Sequence, residues 1–157
     1  MKKLIFLLLG VMILVVGCKS QSGAINKDSK SAGKSENSKM AFEYEAMTRG
    51  VYNKIIVTQD SIITIKDREK KNTVAKLTKK ADWDFLITSI KKIHPEELGN
   101  LKAPSNKNFV DAALAANLKV ISNGVAVSSP NFDHGNPPAE IKELVNRLIA
   151  ISDLKKK

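Results

Sequence analysis

Between Phe42 and Leu77 the apolar residues keep a period of two, and from Trp83 onward the period lengthens to three and four. Successive side chains of a strand point to opposite faces, whereas a helix returns to one face every third or fourth residue, so this switch limits the fold more than any other feature. Phe42, Tyr44 and Ala46 alternate with Glu43, Glu45 and Met47, which predicts a half-buried strand ending near Gly50. Residues 52–58, centred on Ile55, Ile56 and Val57, predict a second strand, and the β-branched residues 62–66 a third. Residues 73–77 predict a fourth. Polar turns at Gln59-Asp60-Ser61 and at 69–72 join them, the pattern of an antiparallel meander.

Trp83, Leu86, Ile87, Ile90 and Ile93 then line one face of a predicted helix that packs on the sheet. Thr78 is placed to cap it, and Pro95 stops it. Asp82 and Asp84 lie near its positive end and Lys91 and Lys92 near its negative end, as the helix dipole favours. Residues 109–121 support two readings. The run from Ala112 to Ala116 has the best helix propensity in the chain, yet Ala112, Leu114, Ala116, Leu118 and Val120 alternate. Asn123-Gly124 is a strong hairpin signal, with 125–128 as the returning strand, and the hairpin is the reading carried forward. Pro137 and Pro138 open a last helix with Ile141, Leu144, Val145, Leu148 and Ile151 facing inward. The expected architecture is a single α+β domain over residues 41–154, in the order ββββ-α-ββ-α, with two helices on one face of an antiparallel sheet. Aromatic residues make up only 5% of the 157, so an aliphatic core is expected.

The formal net charge is +10, but its placement limits what it means. Of 26 basic residues, two open the chain, five lie in residues 19–40 against Asp28 and Glu36, and three form the basic tail 155–157. That leaves 16 basic and 14 acidic residues in the body, against a nucleic-acid surface, which needs cations clustered on one face. No nucleic-acid partner is expected.

The chain has one cysteine, and an unpaired cysteine in an exported protein needs a reason. Lys2 and Lys3 give a positive start, residues 4–16 are an apolar run of 13, and Val15-Val16-Gly17-Cys18 follows. A run of 13 is too short to span a bilayer, which takes about 20 residues, and fits the core of a signal peptide. Val15-Val16-Gly17-Cys18 resembles the lipobox of bacterial lipoproteins. That resemblance implies cleavage after residue 17, a diacylglyceryl group on the Cys18 thiol and often an acylated new amino terminus. Each buried methylene adds about 0.8 kcal/mol, so two or three chains anchor stably where one does not. An ordinary secretory leader with a chance cysteine is the competing reading; charged start, apolar run and box in register favour the lipoprotein.

Lys19 stands where the inner-membrane retention signal of some lipoproteins has Asp, and no acidic run follows in 20–24. By resemblance this points to the bacterial outer membrane and a domain facing the periplasm, with the lipid bilayer as partner through Cys18. Residues 18–40 are Ser, Lys, Gly, Asn and Gln with hardly an apolar side chain, so a disordered tether is expected, reaching roughly 25 Å.

The one stretch inviting a functional reading is 128–138, which holds Phe132, Asp133, His134 and Gly135 between Ser128-Ser129-Pro130 and Pro137-Pro138. His134 could serve as a general base with Asp133 or a serine, but nothing in the spacing selects Ser128 or Ser129, and catalytic signatures such as Gly-x-Ser-x-Gly are absent. A metal would want more ligands than His134, Asp133 and distant His94 provide. The structural reading is a loop whose Asp and Asn bind backbone amides, whose Gly135 allows positive φ, whose prolines stiffen the approach to the helix and which Phe132 pins to the core. His94, before Pro95, reads as a helix end.

The body is similar to small lipoproteins of Bacteroidetes-type bacteria, on Thr48-Arg49-Gly50, Lys54-Ile55-Ile56-Val57-Thr58, Asp82-Trp83, Phe132-Asp133-His134-Gly135 and Pro137-Pro138. The resemblance covers most of residues 45–150 and carries no activity with it. The leading expectation is a non-enzymatic binding or interaction module, taking an envelope protein or peptide at a sheet edge or at the 128–138 loop, with no cofactor. The alternatives are a hydrolase-like envelope enzyme using Asp133 and His134, or a protease-inhibitor-like domain presenting the proline-flanked loop.

Overall fold

The computed structural model describes residues 39–154. The leader 1–17, Cys18, nearly all of the tether and the basic tail 155–157 lie outside the described residues. Seven strands form one antiparallel sheet: β1 (Met40–Met47), β2 (Tyr52–Val57), β3 (Ser61–Ile65), β4 (Thr73–Leu77), β5 (Ala115–Ser122), β6 (Val125–Ser128) and the two-residue β7 (Phe132–Asp133). Their spatial order is β4-β3-β2-β1-β5-β6, with β7 also pairing β5. The first four strands make the expected meander, and β1 pairs β5 on its other side, Met40 opposite Ser122 and Met47 opposite Ala115. The helices are α1 (Lys80–Ile93) and α2 (Lys142–Ile151). The fold is α+β, as the period switch implied.

The core lies between the helices and one face of the sheet. Met40, Phe42, Tyr44 and Ala46 of β1 alternate inward with Ile55 and Val57 of β2 and Ala116, Leu118 and Val120 of β5, all buried. Trp83, Leu86, Ile87 and Ile90 of α1 and Leu144, Val145, Leu148 and Ile149 of α2 close over them. Burying each of the Val, Leu, Ile and Phe side chains among them contributes about 1.5–3 kcal/mol. The expectation of an aliphatic core needs amending: Phe42, Tyr44 and Phe132 are fully buried, and Phe42 meets Trp83 edge to face at 5.7 Å. The chain places its few aromatics at the centre, where large rigid rings fill the most volume.

The residues that alternate outward on β1 meet cations on neighbouring strands. Glu43 Oε2 lies 2.8 Å from Lys54 Nζ and 3.3 Å from Lys119 Nζ. Burial alone would raise the Glu43 pKa, but these two ammonium groups outweigh it and hold the carboxyl below its ordinary value.

Three expectations shift. Thr78 does not cap α1; its Oγ1 donates to Thr58 O at 2.9 Å, tying the helix approach to the β2–β3 turn, while Lys79 occupies the cap position without a side-chain bond. Ile151 is only half-buried, and Ile149 takes an inward place beside Leu148. Residues 109–114 belong to neither the proposed strand nor a long helix. A 3-10 turn spans Lys107–Val110, Asp111 is left-handed at φ 55°, and β5 starts at Ala115. The hairpin itself is present, with both turn residues at positive φ, Asn123 at 51° and Gly124 at 83°. That is the backbone a two-residue hairpin requires.

Candidate functional site

The 128–138 loop is drawn back onto the sheet. Ser129 is buried; its N donates to Leu118 O at 2.8 Å and its Oγ accepts from Leu118 N at 3.0 Å. The same Oγ donates to Pro130 O at 2.9 Å, so this hydroxyl serves the backbone as the β6 edge ends. Phe132 is fully buried against Tyr44, ring centroids 6.3 Å apart, and pins the loop as its sequence position implied. Pairing of Ala116 with Phe132 and Ala115 with Asp133 makes β7. Gly135 at φ 87° lets the chain reverse so that Asn136 N donates to Asp133 O at 2.8 Å. Pro137 and Pro138 are buried, leaving Asn131, His134, Gly135 and Asn136 on the outside.

Asp133 is 3% exposed and gathers four donors. Oδ2 accepts from Ser105 Oγ at 2.5 Å and Lys107 N at 3.0 Å; Oδ1 accepts from Asn108 N at 2.7 Å and Asn108 Nδ2 at 2.8 Å. Asn136 Nδ2 donates to Ser105 Oγ at 2.7 Å and closes the ring. Burial by itself would push the Asp133 pKa up, but the bonds from Ser105, Asn108 and Lys107 outweigh it and keep the group ionised below its ordinary value. The carboxylate does for the 3-10 turn at Lys107 what a capping residue does for a helix, satisfying amides that have no partner of their own. It thereby fixes the turn whose tip is Phe109 and Val110, each 76% exposed.

His134 faces a different partner. Its N donates to Leu114 O at 2.9 Å, and its Nδ1 lies 2.6 Å from Tyr44 Oη. Tyr44 is fully buried, which pushes its pKa far up and keeps the phenol protonated. Burial lowers the His134 pKa, so the imidazole is neutral at pH 7. If Nδ1 carried the proton, the buried phenolic O–H would have no acceptor; with Tyr44 donating to Nδ1, that cost is avoided and the proton sits on Nε2. The outward-facing nitrogen is then a donor without a lone pair.

No family model, no curated protein and no solved structure matches this chain. What the site can do therefore follows from its geometry. The structure brings Phe132, Asp133, His134 and Gly135 together at one end of the sheet, but it does not pair Asp133 with His134. Nor does either Ser128 or Ser129 hydrogen-bond to the imidazole; among the described residues its side-chain partner is Tyr44. His94 ends α1 at φ 57°, with Nδ1 3.6 Å from Glu96, as its place before Pro95 implied. Among the described residues no group of three His, Cys, Asp or Glu is placed to hold a metal ion, and no helix is long and apolar enough to cross a membrane.

Sequence reasoning missed Tyr44, Ser105, Asn108, Phe109 and Val110. Tyr44 is 90 residues from His134, and the donors to Asp133 precede it by 25 to 28, so no local pattern links them. The polar run Ser105-Asn106-Lys107-Asn108 ahead of Phe109-Val110 is the one available signal: loop chemistry followed at once by apolar residues with no period to bury them.

Proposed function

We propose that this protein is a lipid-anchored lipoprotein of the bacterial envelope whose domain is a binding module, docking an envelope protein or peptide at the end of the sheet formed by residues 105–110 and 132–136. The observation that carries the binding reading is how Asp133 and His134 are engaged. The carboxylate is saturated by backbone and side-chain donors, and the imidazole turns its lone pair inward to Tyr44. Such a site presents rather than reacts: it holds Phe109 and Val110 out in water on a turn fixed by Asp133. The anchoring reading is supported by the charged start, the apolar run and the lipobox-like Val15-Val16-Gly17-Cys18, and the outer-membrane placement by Lys19.

The two parts are tested together in cells. Cys18→Ser should abolish the processed, membrane-bound form; membrane fractionation at the normal processed mass would refute the anchor. With the anchor intact, a photo-crosslinking residue at position 109 should yield one discrete adduct that the same residue at position 77, on the β4 edge, does not. Identical adducts from both positions would refute the docking end.

A further inference from the structure

The β1–β2 turn and the β3–β4 turn stand side by side because β2 pairs β3, with Lys54 opposite Ile65. Between them lies an open cleft of about 350 Å³. Its ionic lining is Arg49 from the first turn and Lys66, Asp67, Arg68, Glu69 and Lys71 from the second. Glu69 is paired with Lys71. Asp67 spends its carboxylate on its own turn, accepting from Lys71 N at 3.0 Å and from Asn72 N at 2.5 Å. Among the described residues, neither Arg49, Lys66 nor Arg68 has an acidic side chain within ion-pair distance. With the Asp67 charge counted, the cleft is +2. The folded body, with 16 basic and 14 acidic residues, has the same surplus, so the rest of its surface is neutral in sum.

Arg68 is already in position. Its Nη2 donates to Thr48 O at 3.1 Å, bridging the two turns, and its guanidinium lies over the Tyr52 ring, 5.6 Å from the centroid. A stacked and tethered guanidinium loses little freedom when it takes a ligand, and its remaining N–H groups keep the planar fork that matches an oxyanion. Three cations gathered without acidic partners repel one another, a cost that an incoming anion removes.

We propose that this cleft binds a phosphate group, held by Lys66 and Arg68 from one turn and by Arg49 from the other. The charge favours a dianion, since a single carboxylate would leave one positive charge uncompensated. The confinement of the cations to two adjacent turns excludes a polymer that needs a track of them. The phosphate can belong to a free small molecule or to a lipid headgroup, and the cleft has room for either. This assignment does not depend on Cys18 or on the docking end proposed above.

The test is calorimetric titration of the full-length chain at low salt with inorganic phosphate, pyrophosphate, acetate and a soluble short-chain phosphatidic acid. Saturable one-to-one binding of the phosphates is expected, with acetate at least about tenfold weaker. Binding of the inorganic ions identifies a free source; binding of phosphatidic acid alone identifies a headgroup. Arg49→Gln and Lys66→Gln, which touch no structural partner, should each weaken binding about tenfold, and Arg68→Gln more. The proposal is overturned if none of the phosphates binds saturably, if acetate binds as well as phosphate, or if Arg49→Gln and Lys66→Gln leave the affinity unchanged.

Discussion

Tyr44 does two jobs with one side chain, filling the core with its ring and fixing a surface imidazole with its hydroxyl. Tyr44→Phe keeps the first and removes the second. It should lower stability by about 1 kcal/mol and free the imidazole to exchange tautomers. The pH dependence has a definite sign. Because the folded-state pKa of His134 lies below its ordinary 6.5, the unfolded chain takes up the proton first. Stability should therefore fall as pH drops below about 6.5 toward the folded-state value, and His134→Gln should flatten that part of the profile, read by thermal unfolding between pH 7.5 and about 5. A profile identical in parent and variant would contradict the partial desolvation of this imidazole against Tyr44. All that joined Asp133 and His134 in the sequence was adjacency, and the structure gives them separate partners. Within or beside a strand, neighbours point to opposite sides, so adjacency there argues against a shared site.

At the scale of elements, strands and helices of four or more patterned residues were legible, because alternation or a helical stripe shows over that length. The parts that escaped are those whose backbone is satisfied from a distance. The alternation that reads as strand from Ala112 is a bend as far as Leu114, because Ala112 N donates back to Lys107 O on the preceding 3-10 turn, whose own amides go to Asp133. Likewise β7, two residues long, has no period to show. Asp133→Asn tests this clamp: an amide cannot accept all four donors. It should lower the thermal midpoint and speed amide exchange at Lys107 and Asn108 about tenfold or more, leaving β1 and α1 protected. Since the carboxyl is held below its ordinary 3.8, its contribution is present above that pH and fades as pH falls below it, so parent and variant should converge in acid. Persistence of the gap well below pH 3.8 would show that the carboxylate is not what holds the turn.

At the scale of the described domain, both helices lie on one face of the sheet, and a close polar contact crosses between them. Arg147 of α2 reaches Asp82 of α1 at 2.6 Å and lies over Phe85 at 5.4 Å. Asp82→Ala leaves the guanidinium without its acceptor and should cost about 1–3 kcal/mol in urea unfolding. The loss should shrink when Arg147→Met is added, since the stranded charge is then gone. Additive losses would mean that the two side chains do not communicate. Fold class and layering were readable because they follow from the order of periods along the chain. Which residues meet across the layers was not, because it depends on the register of β1 against β5.

That register has a directional result. The chain joins the sheet at Met40, while the Arg49 cleft, the Phe109 tip and His134 all gather beyond Met47, about 24 Å further along β1. The anchoring proposed through Cys18 would therefore tie the domain by the opposite end of β1 from both proposed sites.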